Sequence, residues 1–302
     1  MSTHHSPPQN KNQELYSMWC SKFDLARYRL LSIKRQEGRE EVKRRGIVID
    51  REISLETYLG FCDKEPRISV KYRLADGTIE AYEMPVDLHA VVQAKLIGIV
   101  DNWNDQLQVF GELDIIVGSR MVYRPDISIR PRNRQRPQAS QAVNSSGHPY
   151  PTLVVEIGNT ESVRSLHDLV IGYFSPRNTI QIYFAIKLFP PRRDNSVALL
   201  ALLYLRNNPN PTITVIAKSF GTAPLHISTQ NYLQNTANVP VNTITGVGYG
   251  GVPCDGANLQ DYQIAIPTIL LFNGVPGGVP NGVPANFNID LWRLQDAILN
   301  LD

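Results

Sequence analysis

Two acidic residues stand where acids are costly. Asp126 follows Pro125 inside the run YRPDISI at 123–129, and Glu156 closes the apolar run LVVE at 153–156. Both runs have the composition of buried strands. A carboxylate on such a strand is strongly unfavourable unless a cation or hydrogen-bond donors compensate it. Two carboxylates on adjacent strands form a donor set for Mg2+ or Mn2+. Such an ion takes oxygen ligands, keeps several waters, and can polarise a phosphodiester while activating water. The competing reading gives each acid a local task, capping a helix or pairing with an arginine. The two residues alone do not decide between these readings.

The elements around the acids determine whether they can meet. Residues 1–12 are polar and read as a disordered tail, and Glu14 to Ile33 as a helix with Leu15, Trp19, Phe23 and Leu30 on its apolar face. The mixed-charge run KRQEGREEVKRR at 34–45 reads as a solvated helix with i,i+4 pairs. Ser54 is a good N-cap for a short helix over Leu55–Phe61, because its hydroxyl can accept from an orphan N–H. Arg67–Leu74 and Thr78–Met84 read as a hairpin about the Asp76-Gly77 turn. Asp87 then caps a helix reaching Trp103, with Val92, Leu96, Ile99 and Val100 on one stripe.

Gln108–Val117 and Met121–Ile129 read as two further strands about a Gly118-Ser119 turn, and 130–151 as a loop. Thr152–Ile157 is a buried strand, Ser162–Phe174 a helix, and Thr179–Phe189 another strand. This order describes an α/β chain with a mixed sheet flanked by helices.

Beyond residue 190 the pattern loosens. Val197–Leu205 and Thr212–Lys218 read as strands, and 227–260 is polar and glycine-rich. Gln263–Phe272 reads as a strand that Pro267 confines to an edge. The GVP repeat at 274–284 reads as a loop, and Phe287–Leu299 as a closing amphipathic helix.

Composition narrows the remaining classes. The chain has 302 residues, 42% of them hydrophobic, enough for a real core. A net charge of +2 does not by itself mark a nucleic-acid binder. Cys20, Cys62 and Cys254 are widely spaced and odd in number, which suits free thiols rather than a zinc site or a disulfide framework. The N-terminus lacks the apolar segment of a secretory signal, and no apolar run reaches the ~18 residues of a membrane span. A cytoplasmic or nuclear location is expected. The motifs of serine-hydrolase elbows, P-loops, dinucleotide folds and zincins are absent.

Positive charge gathers beside the first acid. Arg124, Arg130, Arg132, Arg134 and Arg136 follow one another with no acid among them except Asp126, and Pro131 and Pro137 keep the segment extended. Arginines leaving a carboxylate-bearing strand suit sequence-independent contact with a phosphate backbone. A solvated loop is the plainer alternative. His89 could meet a phosphate or simply tie down a loop, and the His167-Asp168 pair reads as a surface feature.

In sequence order these pieces resemble the restriction-endonuclease-like superfamily, with its PD…(D/E)xK signature, and more closely the Uma-type restriction endonucleases. That family runs from a short helix to a hairpin of the form yELidG, a helix opening near a histidine, PD, vvEv.s, and a helix carrying K…Y. Here the counterparts are SLETYL at 54–59, YRLADGTIEAYEMP at 72–85, His89, YRPDISI at 123–129, LVVEIGNTES at 153–162, SLHDLVIGYF at 165–174 and TIQIYFAIK at 179–187.

The resemblance spans about 50–190 and implies a restriction-endonuclease-like mixed sheet there. It also implies Asp126 and Glu156 as catalytic metal ligands, and the Ile157 carbonyl as a further ligand to Mg2+ or Mn2+. Three departures stand out. Gly158 replaces the signature lysine, Leu169 stands four residues before Tyr173 where the family places its alternative lysine, and Arg73 replaces the acid of yEL. Arg164 and Lys187 are the nearest substitute cations, and Lys187 is the candidate third catalytic residue.

The expected organisation is a tail and helical extension at 1–49, the core at 50–190, and a loop-rich C-terminal extension at 191–302. Two functions stay open. One is a metal-dependent endonuclease that hydrolyses DNA. The other is a catalytically degenerate form of the fold that binds nucleic acid or protein. DNA is the expected partner, a homodimer and a protein partner on the C-terminal region are further alternatives, and no membrane association is expected.

Overall fold

The computed structural model describes residues 9–32, 46–64, 66–137, 143–144, 147–240 and 243–301, with side chains from residue 12 onward. The mixed-charge run at 34–45 lies outside them. The first helix, α1 (Gln9–Ser32), begins inside the stretch expected to be a disordered tail. It turns Trp19, Phe23, Ala26 and Leu30 inward. These residues cover a five-stranded sheet of β1 (Ile47–Asp50), β2 (Lys71–Ala75), β3 (Thr78–Glu83), β5 (Ile115–Gly118) and β6 (Met121–Tyr123), in the order β1-β3-β2-β6-β5. The short helix α2 (Leu55–Cys62) starts at Ser54, whose hydroxyl accepts from the Thr57 N–H at 3.1 Å. Its Phe61 packs within 5.1 Å of the Trp19 ring centre.

A larger sheet forms the centre. Its order is β12-β11-β10-β9-β8-β7-β4, comprising β4 (Leu107–Gly111), β7 (Ile127–Pro131), β8 (Leu153–Gly158), β9 (Ile182–Leu188), β10 (Ala198–Leu205), β11 (Ile216–Gly221) and β12 (Ile244–Gly246). β8 and β9 run parallel, while β7 and β10 flank them antiparallel. All of β8, all of β9 and nearly all of β10 are buried, because both faces of the sheet are covered.

On one face Leu153, Val155, Ile157, Phe184 and Ile186 join a core with α3 (Asp87–Trp103) and α7 (Leu291–Leu299). On the other, Val154, Tyr183 and Ala185 meet α4 (Val163–Tyr173) and α5 (Ile227–Asn235). Period-two alternation therefore places Glu156 on the α4 side, in register with Ala185. The sheet continues through residue 190, since β10–β12 are hydrogen-bonded onto β9 and onto one another.

Two expected strands are each divided. Gln108–Val117 becomes β4 and β5, and Met121–Ile129 becomes β6 and β7, with one half in each sheet. The first break falls at Glu112, which adopts φ +38. The second falls at Pro125, whose ring removes a ladder donor. The chain thus passes between the sheets once within each of these two stretches, and Asp126 stands at the second of these passages.

Asp87 also differs from expectation. It is the first helical residue of α3, and Val86 is the N-cap, without a side-chain bond. Near the C-terminus, alternation of Phe287 and Ile289 makes β14 (Asn286–Asp290), which pairs with β13 (Gln263–Pro267), so the closing helix α7 starts only at Leu291. The short α6 (Thr268–Leu271) follows Pro267. No helix of the described residues is long and apolar enough to cross a membrane.

Trp19 unites the two parts of the small core. It is fully buried, and its Nε1 donates to Asp50 Oδ2 at 2.7 Å. Trp19→Ala is expected to lower stability by about 3–5 kcal/mol, measured by urea denaturation. A loss below about 1 kcal/mol would mean that α1 contributes little to the fold.

Candidate functional site

Asp126 lies immediately before β7 and is almost entirely buried. Its Oδ2 accepts the Ile157 N–H at 2.6 Å, which ties it across to β8. Its Oδ1 touches the ammonium of Lys71, and His89 Nε2 lies 3.0 Å from the same oxygen. The backbone carbonyl of Asp126 accepts from Gln93 on α3 at 2.7 Å. Lys71, His89 and Asp126 Oδ1 are close together without a well-directed hydrogen bond among them, so the interaction is one of charge rather than of aligned donors. Burial holds His89 down to about 3, and Lys71 adds to that effect, so its ring is neutral. Its role here is to face Asp126.

Glu156 is the companion acid. The antiparallel register pairs Ile127 with Val155, so Asp126, one residue before β7, falls level with Glu156 across the same end of the β7–β8 ladder. The Tyr173 hydroxyl on α4 donates to Glu156 Oε1. Burial is the main cause that pushes the Glu156 carboxyl up to about 8, with the Glu161 charge reinforcing it and Lys71, Tyr173 and Arg73 opposing it. At neutral pH this carboxyl therefore keeps its proton.

Two cations enter from β2. Lys71 and Arg73 are both about 8% exposed and point to one side of the strand, while Leu74 and Tyr72 fill the small core on the other. Burial lowers the Lys71 ammonium, and the charges of Glu156, Glu112, Glu83 and Glu161 pull it back up. Arg73 donates to Glu161 Oε1 at 2.8 Å and to Ser165 Oγ at 2.9 Å, and stacks over the Tyr82 ring.

The loop after β8 is secured from both sides. Glu83 accepts the N–H groups of Asn159, Thr160 and Glu161 at 2.8–3.0 Å. Lys187 donates to the carbonyls of Asn159 and Glu161 at 2.8 Å each. Lys187 is in register with Gly158, so its amine reaches the loop carbonyls. A Cβ in place of Gly158 would lie 2.7 Å from Leu166 Cδ1, so a side chain there requires Leu166 to shift. Arg164 is exposed and pairs with Asp168 at 3.8 Å. His167 turns from the surface to Tyr204, with Nδ1 2.9 Å from the hydroxyl.

Three cations, Lys71, Arg73 and Lys187, thus share this interior with four acids, Glu83, Asp126, Glu156 and Glu161. Sequence reasoning passed over Lys71, Arg73 as a partner of Glu161, and Glu83. The available signal was the alternation of Lys71 and Arg73 on a strand otherwise built for burial.

The arginine segment divides by role. Arg134 is buried and donates to the carbonyls of Asn273, Tyr150, Pro151 and Thr179. Arg124 forms a two-bond pair with Asp114, both at 2.9 Å. Arg130 stacks over Phe110 and donates to Pro149 O and Gln108 Oε1. Arg132 and Arg136 are exposed. Arg130, Arg132 and Arg134 line one groove of about 460 Å3 with Phe110, Asn144 and His148.

A mixed α/β chain with two acids at adjoining strand ends is broadly consistent with a restriction-endonuclease-like arrangement. Residues 55–202 match the Uma2 family, described as "Putative restriction endonuclease", and the chain is similar to that family over this stretch. Among solved structures, a protein described as a putative nuclease belonging to DUF820 from Anabaena variabilis aligns at 16% identity with a TM-score of 0.38, over 59% of this chain and 92% of that one. No curated protein matches.

The Glu156 proton couples folding to pH. Because the folded chain holds this proton up to about 8 rather than its ordinary 4.5, the stabilisation is complete below about 4.5 and is lost as pH rises through 8. Glu156→Gln is expected to match wild type near pH 5 and to exceed it by a few kcal/mol at pH 9, read from urea melts at the two pH values. Parallel pH profiles for both proteins would show that the carboxyl is already ionised.

Proposed function

We propose that this chain is a metal-independent, nucleic-acid-binding derivative of the restriction-endonuclease-like fold. The observation that carries this reading is the Lys71 ammonium seated on Asp126. A divalent ion would need Asp126, Glu156 and the Ile157 carbonyl as its oxygen donors. The residues present do not suit it. Oδ1 of Asp126 already faces a cation, Oδ2 is taken by the Ile157 N–H, and Glu156 is protonated and bonded by Tyr173. A second cation at the same oxygen would meet direct repulsion from Lys71. Among the described residues no group of three or more histidine, cysteine, aspartate or glutamate side chains is placed to hold a metal.

The nucleic-acid half of the reading rests on the arginine groove. β7 runs from the Asp126 crossing to Pro131, and the groove opens beside its end. Arg132 lines it, exposed Arg136 follows on the same segment, and buried Arg134 fixes that segment. Fixed arginines at an exposed groove favour backbone phosphates over base edges. The alternative is a Mg2+-dependent endonuclease, favoured by the adjoining positions of Asp126 and Glu156. In that case Lys71, rather than Lys187, would stand in for the missing signature lysine.

Fluorescence anisotropy with a short labelled DNA duplex, and plasmid cleavage with Mg2+ or Mn2+, separate these readings. Expected are binding that weakens as salt rises, weakening of roughly ten-fold or more in the Arg132→Ala/Arg136→Ala variant, and no metal-dependent cleavage. Absence of binding at low salt overturns the proposal. Mn2+-dependent nicking by wild type that Asp126→Ala abolishes overturns it in favour of the endonuclease.

A further inference from the structure

A second concave surface forms where the C-terminal part of the chain closes over α3, and it shares no residue with the Asp126 cluster or the arginine groove. We propose that this pocket binds a single nucleotide, its base laid against Trp103 and its phosphate held by Lys95 and Arg293. The proposal stands apart from the nucleic-acid reading above, because the two sites are built from different residues.

The pocket encloses about 530 Å3 between α3, the β13–β14 hairpin and α7, within the range of small-ligand sites. Three kinds of group meet in it. Trp103 and Phe287, with ring centres 4.6 Å apart, form an aromatic wall, and Trp103 is half-buried, as a stacking platform for a base must be. Asn102, Asn258, Gln263 and Asn288 bring side-chain amides, which both donate and accept, as the edge of a base requires. Lys95 and Arg293 bring positive charge from α3 and α7, and both are exposed. Asp290 is the acid of the wall, and its oxygens already accept the N–H groups of Asn258 at 2.8 Å and Trp292 at 3.1 Å. The Arg293 Nε stands 3.9 Å from Asp290, beyond hydrogen-bond length, so the guanidinium keeps donors for an anion.

Gly98 points to an occupant. Glycine weakens a helix interior relative to alanine, and Gly98 lies well inside α3. Packing does not require it, since a Cβ there would meet no described atom within 4 Å. Its effect is to keep the pocket wall bare, which suits the close approach of a flat ligand to the helix. An apolar ligand would leave Lys95 and Arg293 unused, and a plain anion would leave the rings and amides unused. A nucleotide engages all three kinds of group.

Isothermal titration calorimetry with AMP, adenosine and inorganic phosphate tests this on the full chain, using wild type, Gly98→Leu, Lys95→Ala/Arg293→Ala and Arg132→Ala/Arg136→Ala. Expected for wild type is one-site binding of AMP, about ten-fold or more tighter than adenosine or phosphate alone. Gly98→Leu fills the pocket, and is expected to keep the wild-type Tm or raise it while weakening AMP by about ten-fold or more. Lys95→Ala/Arg293→Ala is expected to bring AMP to the affinity of adenosine and to leave adenosine unchanged. Arg132→Ala/Arg136→Ala is expected to bind AMP like wild type. No binding of AMP at about 1 mM overturns the proposal. Phosphate binding as tight as AMP overturns it too, because charge alone would then account for the site. An unfolded Gly98→Leu shows a packed wall rather than an open one, and a folded Gly98→Leu with undiminished AMP binding places the ligand elsewhere; either overturns it. Loss of AMP binding in Arg132→Ala/Arg136→Ala assigns the anion to the arginine groove and overturns this inference while supporting the reading above.

Discussion

Asp126 is a carboxylate with almost no access to water, placed where the chain crosses from one sheet to the other. Everything near it can be understood as the cost of keeping it there. The Ile157 N–H answers one oxygen, Lys71 and His89 face the other, and Gln93 holds the backbone carbonyl. These partners come from β8, β2 and α3. One side chain therefore couples the small sheet, the large sheet and the long helix. Removing Lys71, the one charged partner among them, would leave the buried carboxylate uncompensated.

The same requirement spreads outward. Lys71 cannot be buried beside a single carboxylate without influence from its neighbours, and the surrounding glutamates hold its charge against burial. Glu156 cannot join them as an anion without overdrawing the local negative charge, so it keeps a proton and a tyrosine. Glu161 takes Arg73, and the loop between them is tied by Glu83 on its N–H groups and Lys187 on its carbonyls. The result is a network of paired groups around the loop, with Lys71, His89 and Asp126 Oδ1 held by proximity of charge rather than by aligned hydrogen bonds. Such networks rigidify a fold when every member is satisfied. They also leave little freedom for groups that must change charge during a reaction.

The similarity to the Uma2 family covers residues 55–202, the stretch that holds both acids. Relative to the pattern that resemblance brings, the acid of the hairpin is Arg73 and the signature lysine is Gly158. A side chain at position 158 would need Leu166 to give way. The positive charge at Asp126 comes from Lys71 on β2. The arginines after Asp126 likewise serve more than one end. Arg134 works as an internal brace, and Arg132 and Arg136 remain available at the surface.

Much of the scaffold was legible from local chemistry. Ser54, the Asp76-Gly77 turn, the stripe of Val92, Leu96 and Val100, and the apolar runs of β8–β10 all act over a few residues, so periodicity and capping rules reach them. Asp126 and Glu156 were legible for the same reason, as acids set in runs that bury their side chains. Long-range partnership was not. Lys71 precedes Asp126 by more than fifty positions and meets it only because the hairpin folds back across the crossing. No sequence rule measures which charge a buried amine will face. The splitting of two expected strands between sheets, the assignment of Lys187 to loop carbonyls, and the protonation of Glu156 all follow from that assembly. The amino-acid order thus determined which groups would be buried, because burial follows from local pattern. Tertiary structure alone decided how their charges are answered, because electrostatic compensation depends on distances that only the folded chain sets.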